Sequence, residues 1–201
     1  MTNLYQNDIK HLTENGVFAG IDEAGRGALA GPVVIAAVVL DYNKIIEGLN
    51  DSKQLSPKKR EILFQQIVEL ALDYSIVEIG PDYIDKHNIL QATLLGFKKA
   101  FLQLKSKPEH CLIDGKDIHK DLKPYAKAII KGDALSASIA AASIVAKVER
   151  DLYMAELDKE YPGYGFAKHK GYGTAEHIAA IKKYGPCPAH RKSFEPIKSW
   201  E

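Results

Sequence analysis

Two adjacent carboxylates, Asp22 and Glu23, stand at the mouth of a glycine-rich turn, Gly25-Arg26-Gly27, and an apolar run from Val33 to Leu40 follows closely. Carboxylates beside exposed backbone N–H groups suit a site for hard cations and phosphate-like anions. Two further acids end short apolar stretches, in Leu112-Ile113-Asp114 and Ile130-Lys131-Gly132-Asp133. A strand that serves packing alone has no need of an acid at its end. In an open α/β sheet, strand ends are where ligands bind. Clustered carboxylates repel one another, which raises their pKa values or calls for a cation. Oxygen-rich sites favour Mg²⁺ or Mn²⁺. Two such ions about 4 Å apart can activate a water and stabilise the leaving oxygen of an in-line phosphoryl displacement. These four acids therefore suggest metal-dependent chemistry on a phosphodiester backbone.

Each feature also has a plainer explanation. Adjacent residues of a regular strand point to opposite faces, so Asp22 and Glu23 share a site only if the strand bends or ends there. Gly25 and Gly27 permit such a bend. Taken singly, Asp114 or Asp133 fits a cap, a turn or a solvated acid. The Gly25-Arg26-Gly27 turn fits a tight loop, or a place where backbone approaches a ligand with no Cβ in the way, with Arg26 on a phosphate. Lys168 to Thr174 (KHKGYGT) sets Tyr172 inside a basic, glycine-flanked loop. Aromatics stack on sugars and bases, and lysines hold phosphates; a loop tyrosine anchoring the next helix is the alternative. Lys53, in a polar loop, is either a phosphate ligand or a solvated surface lysine.

The elements that must position these residues follow from periodicity and punctuation. Tyr5, Ile9 and Leu12 recur at helical spacing, and Gly16 closes that helix. Val17 to Asp22 and Val33 to Leu40 read as strands. Ser56-Pro57 opens a helix to about Leu72. Tyr74 to Ile79 is strand-like, and helical stretches follow at 82–87 and 89–104. Short strands are expected at His110–Asp114 and Ala128–Lys131. A long helix from about Ser136 to Glu160 is expected to bury Ile139, Ile144, Val148 and Leu152. Its Ala- and Ser-rich first half allows another backbone to come close. Thr174 caps a last helix through Tyr184. Strands alternating with helices imply a mixed α/β layer architecture around a central sheet.

The 201 residues suit one compact domain, and 46% apolar content excludes a disordered chain. A net charge of +1 hides an asymmetry: residues 161–201 carry seven Lys/Arg against three Asp/Glu. A basic C-terminal extension facing a more acidic body fits a protein that holds phosphates with one part and metals with the other. Cys111 and Cys187 form no CxxC pair. Cys187-Pro-Ala-His190 is only a zinc half-site, so no zinc is expected. Early charges (Asp8, Lys10, Glu14) and short apolar runs argue against a signal peptide or a membrane span. A cytoplasmic monomer with no membrane partner is expected.

Taken together, these motifs resemble bacterial ribonuclease HII, of the type 2 RNase H family, over nearly the whole chain. The matching pieces are GIDEAGRGALAGPVV at 20–34, DSKQLS at 51–56, LIDG at 112–115, KGD at 131–133, SIAAASIVAKVERD at 138–151, YGFAKHKGYGT at 164–174 and HRKSF at 190–194. The resemblance implies an RNase H-like fold: a central mixed five-stranded sheet flanked by helices, with a C-terminal helical extension. It implies that Asp22, Glu23, Asp114 and Asp133 are catalytic and bind two Mg²⁺ or Mn²⁺ ions. The implied activity is endonucleolytic hydrolysis of RNA in RNA/DNA hybrids, and incision 5′ of single ribonucleotides in duplex DNA, leaving 3′-hydroxyl and 5′-phosphate ends. Gly25, Arg26 and Gly27 would read the ribose 2′-hydroxyl, the one group that separates RNA from DNA at a given sugar. Tyr172 would pack on the neighbouring deoxyribose, and Lys53 would hold the backbone. The DEAGRG spelling argues for type II over type III, whose first motif typically reads DESGKG. Ala28 stands where the family often has Pro, with no functional effect expected, and no sliding-clamp partner is expected. A resolvase-type DNA nuclease would be indifferent to the 2′-hydroxyl. A non-catalytic binding module would not need four clustered acids.

Overall fold

The computed structural model describes residues 3–200. Its centre is a mixed sheet of five strands: β1 (Phe18–Ala24), β2 (Val33–Val39), β3 (Asp73–Ile79), β4 (His110–Asp114) and β5 (Ala126–Ile129), in the order β3-β2-β1-β4-β5. β1 and β3 each pair antiparallel to β2, while β1, β4 and β5 run parallel. The ends of β1, β4 and β5 therefore open on the same side. Ile21 pairs with Ile113 immediately before Asp22 and Asp114, which places those two acids side by side.

The helices are α1 (Asn3–Asn15), α2 (Pro57–Leu70), α3 (Pro81–Gln103), α4 (Ala137–Glu160), α5 (Phe166–His169) and α6 (Ala175–Tyr184). α4 covers one face of the sheet, with α1 and α2 beside it, and α3 covers the other. Coverage on both faces explains why all seven residues of β2 are apolar and buried. Ala19 and Ile21 pack into the α3 layer, and Phe18 meets Ile139 of α4. By alternation Gly20 and Asp22 also face α4. A Cβ on Gly20 would lie 2.1 Å from the Ser138 carbonyl carbon, so α4 seats directly on the backbone of β1. The small residues at the start of α4 make that contact, as their spacing anticipates.

The two helical stretches at 82–87 and 89–104 are present as expected, separated within α3 by a break at Asn88 (φ 66°, ψ 165°), whose side chain accepts the Gln91 N–H at 3.1 Å and restarts the helix. Other boundaries move. β5 lies at Ala126–Ile129, earlier than Ala128–Lys131, because pairing with Cys111 to Asp114 sets its ends. Ile130 is left 68% exposed, and Lys131 turns left-handed (φ 58°) into a 3₁₀ turn, Gly132–Ala134. α2 stops at Leu70. Leu152, expected in the core, is 56% exposed because it lies on the outer side of α4. The short α5 had no signal of its own. Ser56 caps α2 and Thr174 caps α6 through their hydroxyls, as expected. A third apolar core ties the C-terminal segment to the body through Leu29, Met154, Tyr164, Phe166, Ile181 and Ile197. Cys111 and Cys187 are both buried and unbridged. Among the described residues no helix is long and apolar enough to cross a membrane.

Candidate active site

The common end of β1, β4 and β5 gathers the acids. Asp22 is buried, and its Oδ1 accepts the Glu23 N–H at 2.7 Å. Ser143 of α4 lines the same cleft as Asp22, its hydroxyl 2.9 Å from that of Ser52. The Asp114 Oδ1 accepts the Gly132 N–H at 2.6 Å, which ties the end of β4 to the turn carrying Asp133. The N–H of Lys53 is held by Asp51 at 2.9 Å in a 3₁₀ turn, Ser52–Gln54, and its ammonium reaches Asp133 Oδ2 at 3.5 Å. Arg26 approaches Glu23 Oε1 at the same distance, 3.5 Å.

A cleft of about 250 Å³ opens here, lined by Asp22, Glu23, Asp114, the turn from Gly25 to Gly27, Lys53, Lys147 and Tyr172. Asp133 stands just outside the lining, behind Lys53. All the sequence-derived candidates therefore fall at one end of the sheet.

Negative charge in the cleft is poorly compensated. Burial, then the charges of Glu23 and Asp114, push the Asp22 carboxyl well above the usual carboxylate range. Burial raises Glu23 to about 7, against the pull of Arg26, with the Asp114 charge adding to the rise. Burial and then Asp114 raise Asp133, with Lys53 opposing. Burial disfavours the Lys53 ammonium, but Asp133, Asp51 and Asp22 outweigh it and raise its pKa. Arg26 is partly and Lys53 largely solvated, with side chains 44% and 80% exposed, so each offsets little, and Lys147 pairs instead with Asp151. The donor set is all oxygen, which suits a hard divalent ion. Among the described residues no three His, Cys, Asp or Glu side chains are closed into a metal cage.

Two residues that sequence reasoning passed over organise the rim. Arg150 and Arg191 are fully buried, and their hydrogen bonds go to backbone carbonyls. Arg150 donates to Ala30 (3.1 Å), Pro32 (3.0 Å) and Lys170 (2.9 Å). Arg191 donates to Gly31 (3.0 Å) and Arg26 (2.9 Å). Burial lowers the pKa of both, that of Arg191 to about 9. Arg150 also lies 5.3 Å from the centre of the Tyr172 ring. The two guanidinium groups thus clasp the Gly25–Gly27 turn and the Tyr172 loop together. An arginine inside the small-residue helix α4 was the available signal. Arg191 read as surface charge, so one of the seven C-terminal cations is in fact interior.

The two glycines of the turn have different reasons. Gly25 has φ +95°, and a Cβ there would strike the Arg150 side chain at 1.9 Å, so it is glycine for the fold. A Cβ on Gly27 would meet nothing within 4 Å. Gly27→Ala is therefore expected to leave the melting temperature unchanged and to raise KM if a substrate sugar comes against that backbone. Thermal melting beside steady-state kinetics checks this; an unchanged KM would remove Gly27 from the contact surface.

A mixed five-stranded sheet in this order, with acids at the shared end of its parallel strands, defines an RNase H-like enzyme. The crystal structure of ribonuclease H2 from Pyrococcus horikoshii OT3 is similar, with a TM-score of 0.77 at 32% identity, covering 91% of this chain and 96% of that one. Residues 19–197 match the family described as Ribonuclease HII. Ribonuclease HII of Endomicrobium trichonymphae is 57% identical over 179 residues, covering 89% of this chain and 85% of that protein. That of Acidovorax sp. (strain JS42) is 56% identical over 182 residues, covering 90% and 87%. The chain belongs to the ribonuclease HII family. It is a ribonuclease H, and hydrolyses the RNA strand of RNA/DNA hybrids.

Proposed function

We propose that the enzyme also incises duplex DNA 5′ of a single embedded ribonucleotide, with two divalent ions, Mg²⁺ or Mn²⁺, held by Asp22, Glu23, Asp114 and Asp133. When bound, such ions supply Lewis acidity toward the phosphoryl oxygens and toward water. No side chain is then needed as general base. The observation that carries the proposal is the juxtaposition in one cleft of Asp22, Glu23 and Asp114 with the open backbone of Gly27 and the ring of Tyr172. A phosphate beside the acids would set the adjoining sugars against those two features.

Each residue has a distinct task. Asp22 and Asp114, adjacent on parallel strands, provide the fixed oxygens. Glu23 follows Asp22 near the end of β1, and Asp133 approaches from the 3₁₀ turn after β5. The turn at Gly25-Arg26-Gly27 meets the ribose 2′-hydroxyl, and Arg26 and Lys53 hold backbone phosphates. Tyr172 packs on the neighbouring deoxyribose. Residues 161–201 act as the substrate-binding extension of a single catalytic domain, with Lys168 and Lys170 of the Tyr172 loop facing phosphates.

Hydrolysis breaks the bond between phosphorus and the 3′-oxygen of the preceding nucleotide. The preceding strand is left with a 3′-hydroxyl, and the ribonucleotide carries the 5′-phosphate. The test is to purify the upstream product and offer it to a DNA polymerase. Direct extension is the expected result; a product extended only after phosphatase treatment would contradict the assigned bond.

A further inference from the structure

Behind Tyr172 lies a stack of three buried histidines that the proposed chemistry does not use. His169, His177 and His190 are 8%, 0% and 1% exposed. The rings of His169 and His177 stack with centres 4.3 Å apart, and those of His177 and His190 are 5.2 Å apart. In the sequence, His190 reads as half of a zinc motif with Cys187 and as the first residue of the HRKSF motif. Instead its Nδ1 accepts the backbone N–H of Cys187 at 2.9 Å, and among the described residues no metal cluster forms.

The shorter backbone contacts assign one proton to each ring of this stack, with the Cys187 thiol and carbonyl also 3.1 and 3.3 Å from His190 Nδ1. A backbone N–H can only donate, so His190 Nδ1 is an acceptor and its proton sits on Nε2. His190 Nε2 is 3.1 Å from His177 Nε2, which must therefore accept. The His177 proton is then on Nδ1, which faces the Tyr172 carbonyl at 3.0 Å. The same logic places the His169 proton on Nε2, because its Nδ1 accepts the Gly171 N–H at 3.2 Å; Nε2 donates to the Tyr164 carbonyl at 2.7 Å. The result is a one-directional relay, Cys187 N–H to His190 to His177 to the Tyr172 carbonyl. The Tyr172 N–H is held as well, by the His169 carbonyl at 3.0 Å.

We propose that His177 and His190 are positioning residues, a directed relay that fixes the backbone of Tyr172 so that its half-exposed ring stands at one place in the cleft. The inference rests on Tyr172 contacting substrate. An apolar stack would fill the same volume, but it would leave the second lone pair of the Tyr172 carbonyl without the ring donor. It would also free the loop to shift. Displacement of a positioning group by about 1 Å can cost on the order of a hundredfold in rate. The relay works only with neutral rings, since a proton on either would set two N–H groups face to face. Burial supports that state by lowering both His177 and His190 to about 4.

Two polar variants separate positioning from packing. In His177→Asn the amide nitrogen takes the place of Nδ1 and keeps a donor toward Tyr172. In His177→Gln the amide oxygen takes the place of Nε2 and keeps only the acceptor toward His190. Both are compared with the unmodified enzyme, alone and combined with Tyr172→Ala, by kcat and KM on a duplex with one ribonucleotide, with melting temperatures alongside. Expected is a drop in kcat/KM of about tenfold or more for His177→Gln, largely restored in His177→Asn at similar melting temperature. That difference should vanish when Tyr172 is Ala. Equal activities of the two variants, or a difference that survives in the Tyr172→Ala background, would overturn the relay. Tyr172→Ala alone reports on the underlying contact: full activity there would remove the substrate role of Tyr172, and the relay's purpose with it.

Discussion

Asp22→Asn is expected to cost turnover about a thousandfold or more while making the ion-free protein more stable. The loss follows from removing one charged oxygen donor, since ions that stabilise a phosphoryl transfer contribute several kcal/mol, and each 1.36 kcal/mol is tenfold. The gain follows from the burial of Asp22 and its neighbours Glu23 and Asp114, which make its ionised form costly in the folded state. Asn keeps the oxygen that accepts the Glu23 N–H and removes the charge. The pH dependence has a definite sign. A carboxyl whose folded pKa is raised binds its proton more tightly folded than unfolded, so the penalty is full above the folded value. It disappears below the ordinary carboxylate range, near pH 4. The stability gain of Asn should therefore be present at pH 8 and fade as the pH falls and the native carboxyl protonates. Substrate affinity should be unchanged or tighter, because a negative charge facing phosphates has been removed. Rate, gel-shift affinity and melting curves at both pH values check all three. Turnover within tenfold of the native enzyme would exclude Asp22 from the metal set.

Tyr172→Ala has the second largest expected effect, a loss of about tenfold to a hundredfold in kcat/KM. Aromatic stacking on a nucleotide contributes about 1–3 kcal/mol by alanine substitution. The ring is 37% exposed, borders the cleft and lies over the Arg150 cation, so it is supported from behind and free in front. Tyr172→Phe keeps the face and the cation contact, and should retain most of the activity. Equal losses in the two variants would assign the contribution to the hydroxyl. Steady-state kinetics on one ribonucleotide-containing duplex decides between them.

Asp22, Glu23 and Asp114 were legible because each interrupts an apolar pattern near the end of a strand, whereas Asp133 lies in the turn four residues beyond β5. Asp22 and Asp114 come together because their strands run parallel in matching register. The glycines were legible as a turn that a ligand could approach, but only tertiary packing separates Gly25, pressed on Arg150, from Gly27, which faces open space. Arg150 and Arg191 were invisible because charge reads as surface, and nothing local shows that a guanidinium will bond to carbonyls from segments more than a hundred residues distant in sequence. The histidine relay was hidden for the same reason: His177 sits on α6 and His190 beyond it, and only tertiary packing aligns their nitrogens. β5 was misplaced by two residues because Ile130 looks like a strand residue, whereas pairing with β4 decides where the strand stops.

The most direct test of the central claim is a labelled DNA duplex with one embedded ribonucleotide, incubated with Mg²⁺, Mn²⁺ or EDTA beside an all-DNA duplex of the same sequence. A divalent-ion-dependent nick on the 5′ side of the ribonucleotide, with the all-DNA duplex intact, is the predicted result. Cleavage of both duplexes would contradict recognition of the 2′-hydroxyl, and cleavage of long hybrids with no nick at the single ribonucleotide would contradict the proposed incision activity.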